Sequence, residues 1–253
     1  MSTAMMERIA EASPRFKARM AGALFLLYVA IAGLAVFARR GLIVNGEAAA
    51  TATNILAHEP LFRLGFAADL LAIACYIAFT GLLYALFKPV NRSVSLLAAF
   101  FSLVGCIIQS SGCVFEFAPL IVLKGAQHLS VFKVEELQAL AYIFLKLYSQ
   151  AYTIALVFFG FFNLLIGYLS FKSTFLPRIL GVLMAVSGMG GLTFLAPPFG
   201  AKYFPYILAA DIGEVLLILW LLVKGVNEQR WKEQASAAGE WRSQRPTEAR
   251  QGN

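Results

Sequence analysis

The sequence predicts an all-α integral membrane protein, a polytopic bundle of six transmembrane helices with both termini cytoplasmic. Three observations predict it. Of the 253 residues 60% are apolar and only 14% charged, with a mean hydropathy of +0.73, whereas soluble domains carry roughly a quarter charged residues. The apolar residues gather into six runs, each near the length of about 20 residues that crosses a bilayer as a helix. The basic residues fall at the ends of those runs, with a bias toward one side.

The same facts narrow the function. A net charge of +7 on one amphipathic surface would suggest nucleic acid, but charges at the ends of apolar runs follow the positive-inside pattern and exclude a nucleic-acid partner. Cys75, Cys106 and Cys113 all lie inside apolar runs, odd in number and without CxxC spacing. They read as small buried packing residues. No composition shift marks a second folded domain.

Residues 1–19 form a polar, basic cytoplasmic tail, and the membrane domain spans 20–224. The first run, 20–38, is longer than the roughly 7–15 residues of a signal-peptide core, so it is a retained span that ends at Arg39-Arg40. In the following connection the run Glu47 to His58 has no Pro or Gly and predicts a short surface helix. Span two, 64–87, stops at Lys88-Pro89, because proline cannot continue a helix. Span three, 94–115, places Ser102, Cys106, Gln109, Cys113 and Glu116 in alternating steps of four and three, a helical face directed at other helices. A long loop is expected from Phe117 to about Leu137. The fourth pattern is helical from Val134 to Leu169, of which 140–169 is the span. Span five, 177–196, opens with Pro177 and is rich in small residues at four-residue steps, Gly181/Ala185 and Ser187/Gly191, which permit close helix approach. Span six, 205–223, closes at Lys224. The tail 225–253 is polar and expected to be cytoplasmic, an interfacial helical turn followed by partial disorder.

Six spans put both termini on one side. With that side inside, cytoplasmic segments hold 14 Lys and Arg and the outer connections 6, with Lys146 unassigned. The bias places both termini in the cytoplasm, and His58 and His128 in outer loops.

Several phrases occur in order: Arg19-Met-Ala-Gly22, Thr53-Asn-Ile55, Phe62-Arg-Leu-Gly65 with Asp69, Leu83-Tyr-Ala-Leu-Phe-Lys-Pro-Val-Asn91, Leu176-Pro-Arg-Ile-Leu-Gly181, and Gly213-Glu214 leading to Leu219-Trp-Leu-Leu-Val-Lys-Gly225. Together they resemble a bacterial family of six-span membrane proteins designated domain of unknown function 4386, over about Arg19 to Trp231. The resemblance implies the architecture and the bacterial cytoplasmic membrane; it supplies no activity and no catalytic residue.

Chemistry is expected where charge enters the membrane. Asp211 and Glu214 lie three residues apart on one helical face of span six. Each central carboxylate costs roughly 2.5–3.5 kcal/mol on the insertion scale, against a gain of about 0.3–0.6 for each Leu, Ile or Val. They therefore need a cavity, a partner or a proton, and such a pair can share one. Counting depth from the cytoplasmic ends puts Glu214 near the midplane, Asp211 a turn further out, Asp69, Glu116 and Lys146 near the outer boundary, and Arg63 above them. Gln109 joins them from the polar face of span three. The simplest geometry is an outward-facing funnel floored by Glu214 and rimmed by mixed charges.

No GxSxG, HExxH, Walker or Rossmann motif is present, and no histidine lies at membrane depth to activate Ser110 or Ser111. No catalytic residue, metal site or cofactor is expected. The reading is a multi-pass membrane protein that binds a small molecule, lipid or cation and, in one form, transports it. Its alternatives are a non-catalytic subunit or sensor working through a protein partner or homo-oligomer, in which the carboxylates serve packing, and an intramembrane enzyme on a lipid-soluble substrate.

Overall fold

The computed structural model describes residues 13–125, 131–196 and 212–251, and every regular element within them is helical. α1 (Pro14–Arg39) starts where the Ser13 hydroxyl accepts from the Phe16 N–H at 3.2 Å, with Pro14 in the first turn, where no N–H is needed. α2 (Ala48–Ala57) is the short helix expected in the connection, and it buries Thr51, Ala52 and Ile55. α3 (Glu59–Phe87) and α4 (Arg92–Lys124) meet at a tight turn capped by Asn91, whose side chain accepts from the Val94 N–H at 3.1 Å. α5 (Val134–Lys172) is the longest at 39 residues, about 58 Å at 1.5 Å per residue. The Glu136 carboxylate accepts from the Lys133 N–H at its start. α6 (Arg178–Leu192) continues as a 3₁₀ turn over Thr193–Leu195, followed by α7 (Ile212–Val223) and α8 (Glu228–Gln251).

Five helices, α1, α3, α4, α5 and α6 with its 3₁₀ turn, are long and apolar enough to cross a membrane. The sixth expected span is represented by the twelve residues of α7, because its first part lies outside the described residues, as do Asp211 and His128.

The loop expected after Glu116 begins only beyond Lys124, because α4 runs through Pro119. Tertiary packing overrides the proline: Leu120 is buried in a small core with Leu42, Ile55, Phe62 and Leu145, and holding that cluster together needs the extra helical turns. The tail is helical over Glu228–Gln251. Trp231 anchors its start, donating from Nε1 to the Leu86 carbonyl at 2.8 Å and packing on the main core.

The starts of α1, α4, α6 and α8 and the ends of α3, α5 and α7 lie at one end of the bundle. There Arg19 donates to the Val223 carbonyl, Gly225 closes α7 at φ +69° against Arg15, and the Thr174 N–H donates to Gln234. The opposite end carries Arg39, α2 and the end of α4. The main core is aromatic and aliphatic, with Phe25, Tyr76, Phe79, Phe162 and Met184 buried between them.

α5 and α6 form a hairpin whose backbones touch. A Cβ on Gly167 would lie 2.7 Å from the Ala185 nitrogen, and one on Gly181 2.5 Å from the Phe171 nitrogen. The small residues of span five are thus used for close packing, with matching glycines on α5.

Candidate functional site

The charged residues gather around a side chain that helix counting leaves at the membrane boundary. Arg39 closes α1, where the unpaired carbonyls of a helix end favour a cation. Its Nη1 donates to Asp69 Oδ2 of α3 at 2.7 Å and also to Glu116 Oε1 of α4. Tyr148 of α5 donates its hydroxyl to the same Asp69 oxygen at 2.6 Å, and the guanidinium lies 5.5 Å from the Tyr148 ring centre. One cation and one phenol therefore join four helices.

The local sequence makes room for this network. Gly65 stands one turn before Asp69, and a Cβ there would come within 3.1 Å of Arg39 Cγ. Gly112 stands one turn before Glu116, where a Cβ would meet Ala151 at 3.0 Å and Tyr148 at 3.7 Å. Each carboxylate is thus preceded by a glycine that admits its partner. The side chain of Glu116 is 0% exposed and that of Asp69 9%. Glu116 Oε2 is a buried acceptor without a hydrogen-bond partner among the described residues.

Asp69, Cys113 and Glu116 bring possible metal-ligand atoms within 4.8 Å of one another. The Arg39 guanidinium already binds both carboxylates, so it takes the place a metal cation would need, and the donor set fits an ion-pair network better than a metal centre.

Arg39, Asp69 and Tyr148 border a cavity of about 410 Å³ that Gln109 and Lys146 also line. Lys146 holds its ammonium 5.1 Å from the Tyr142 ring centre. Glu214 borders a second cavity, of about 460 Å³, with Asn163. Asn163 donates Nδ2 to Glu214 Oε2 at 3.1 Å. Tyr28, Ala32, Val36 and Tyr152 line both cavities, so the two adjoin across a shared wall.

The expected funnel is therefore replaced by two adjoining chambers. Asp69, Gln109 and Lys146 share one, with Glu116 directly behind its wall, and Glu214 stands in the other; Asp211 lies outside the described residues. Arg63 lines neither chamber: its side chain, 50% exposed, pairs with Glu59 at 2.8 Å one turn earlier, and Lys124 binds the same carboxylate. Ser110 donates to the Cys106 carbonyl of its own helix and serves α4. Sequence reasoning missed Arg39, Tyr148 and Asn163. Arg39-Arg40 reads as an end marker by charge alone; the signals for the others were the glycines one turn before each carboxylate and the α5 face carrying Tyr148, Tyr152, Phe159 and Asn163.

An uncharacterized protein of Archaeoglobus fulgidus is 26% identical over 143 residues, 56% of this chain and 72% of its own length. No solved structure matches. The model of the family described as domain of unknown function (DUF4386) matches residues 20–225, from within the first membrane helix to the glycine that closes α7. The chain belongs to that family.

Proposed function

We propose that the chain is a binding protein of the bacterial cytoplasmic membrane, with the Arg39 end outside and both termini inside. It takes a small molecule, lipid or cation from the outer side into the chamber lined by Asp69, Gln109 and Lys146. In a transporting form the ligand moves on toward Glu214. The carrying observation is the adjacency of the two chambers, which places ionisable groups at two depths along neighbouring spaces. Glu214 lies nine residues before the end of α7, about 14 Å along the helix, near the middle of a core about 30 Å thick. Ionisable residues at that depth mark binding sites, ion paths or proton relays by default. The orientation rests on the 14-to-6 distribution of basic residues. The reading invokes no catalytic residue and is not that of an enzyme.

The test is the thermal midpoint of detergent-purified wild type and Glu214→Gln against a panel of lipids, cations and metabolites. A compound that stabilises wild type but not the variant supports the reading and names the ligand class. If nothing in the panel shifts either protein and the variant is as stable as wild type, the binding reading falls. The search then turns to a non-catalytic subunit or sensor with a protein partner.

A further inference from the structure

The bundle end opposite Arg39 carries an open cleft of about 750 Å³ between the α5–α6 turn and the first turns of α8. Lys172 closes α5, Arg178 opens α6 and Arg230 lies in the first turn of α8, so three elements each bring one cation to its walls. Glu233 is the one carboxylate among the described residues that line it, which leaves the cleft a net charge of plus two. Among the described side chains none of the three cations pairs with a carboxylate. The start of α6 adds to the positive character. Pro177 offers it no side-chain cap, and a cation in the first turn of a helix opposes the helix dipole. An anion in the cleft relieves both.

The walls are already tied together. The Thr174 N–H and hydroxyl both donate to Gln234 Oε1 at 3.1 Å, and Arg230 Nη1 donates to the Thr174 carbonyl at 3.4 Å. A guanidinium has five N–H donors, and those that Arg230 does not direct at Thr174 suit the paired oxygens of a phosphate. The surface beside the cleft is apolar. Arg178 lies 5.8 Å from the Phe171 ring centre, and Phe171, Tyr168 one turn earlier and Ile179 are all exposed. A free phosphate needs only the cations; the adjoining apolar surface suits a phosphate that carries acyl chains.

Basic pockets between membrane helices hold the headgroups of anionic phospholipids. We infer that this cleft binds the phosphate of an anionic phospholipid, with Lys172, Arg178 and Arg230 around the headgroup and the acyl chains along the exposed surface of Tyr168, Phe171 and Ile179. Under the orientation proposed above, the lipid comes from the inner leaflet. The inference concerns the end of the bundle away from Arg39 and needs no ligand in either chamber. A built site also differs from the diffuse attraction of any basic membrane surface: a cation off the cleft contributes little to it. Lys232 is such a cation, exposed on the same helix and outside the cleft lining.

The experiment titrates the full-length, detergent-purified protein with dioleoyl phosphatidylglycerol or dioleoyl phosphatidylcholine and counts retained lipid by native mass spectrometry. The two lipids share their acyl chains and differ in net charge. Phosphatidylglycerol should bind about tenfold more tightly. Arg178→Gln should lower its affinity about fivefold and leave phosphatidylcholine unchanged, while Lys232→Gln, an equal loss of charge, should change neither. Glu233→Gln removes the opposing carboxylate and should raise phosphatidylglycerol affinity several-fold, so an Arg178→Gln protein that fails to fold leaves the test intact. Equal binding of the two lipids overturns the inference. Equal losses in Arg178→Gln and Lys232→Gln overturn it too, because the attraction is then diffuse surface charge. If soluble glycerol phosphate displaces the lipid at equal concentration, the cleft is a site for free phosphate esters and the lipid inference falls.

Discussion

Replacing Arg39 with Leu should be among the most damaging single changes in the protein, and the reason is charge arithmetic. The network holds one guanidinium against two carboxyl groups. Arg39→Leu keeps much of the aliphatic stem but leaves both carboxyl groups without a cation around a Glu116 side chain that is 0% exposed. Removing one partner of a buried ion pair costs about 3–5 kcal/mol. For a chain of this size about 2–4 °C accompanies each kcal/mol, so the midpoint should fall by about 6–20 °C. Glu116→Gln is the control of opposite sign. It leaves one guanidinium against one carboxylate, keeps an oxygen for Arg39, and replaces the unpartnered Oε2 with an amide donor. Its midpoint should stay within about 1 kcal/mol, or about 4 °C, of wild type, or rise. The assay is fluorescence-detected size exclusion of detergent-solubilised protein after heating. A wild-type midpoint for Arg39→Leu, or a loss in Glu116→Gln as large as in Arg39→Leu, would refute the argument.

Three further changes probe other parts of the fold. Tyr148→Phe removes the 2.6 Å bond to Asp69, and since bonds to charged groups contribute about 1.5–3 kcal/mol, the same heating assay should register a drop smaller than that of Arg39→Leu. Gly181→Ala drives a methyl to 2.5 Å from the Phe171 nitrogen and should destabilise the α5–α6 hairpin by about 1–3 kcal/mol; an unchanged midpoint would show that the two backbones do not meet there. Trp231→Ala removes both the bond to Leu86 and the anchor on the core, so limited trypsin digestion should cut at Arg230 and Lys232 several-fold faster than in wild type.

How far the sequence alone reaches depends on whether a feature is written along one helix or between two. The polar face of α4 was legible because its spacing follows one helix, and Ser102, Cys106, Cys113 and Glu116 are all 1% exposed or less. The α5–α6 contact was half legible, from the small residues of α6, while Gly160 and Gly167 on α5 sit among large residues that mask them. The Arg39 network is written between helices. Arg39 lies 30 positions from Asp69, 77 from Glu116 and 109 from Tyr148, and nothing periodic joins them. Pro119 misled for the same reason: its effect on α4 is local, whereas the core around Leu120 that overrides it draws on Leu42, Ile55, Phe62 and Leu145.

α5 connects the two chambers. Tyr148, Tyr152, Phe159 and Asn163 follow one another at steps of four, seven and four, a single stripe of the helix. At one end of the stripe a phenol donates to Asp69, and at the other, about 22 Å away along the axis, an amide donates to Glu214. Between them Tyr152 belongs to both cavity walls. The adjoining side of α5 is held against α6 by backbone contact at Gly160 and Gly167, where no side chain can yield. Tyr148 and Asn163 thus tie the walls of the polar chamber and of the aromatic chamber to a single helix.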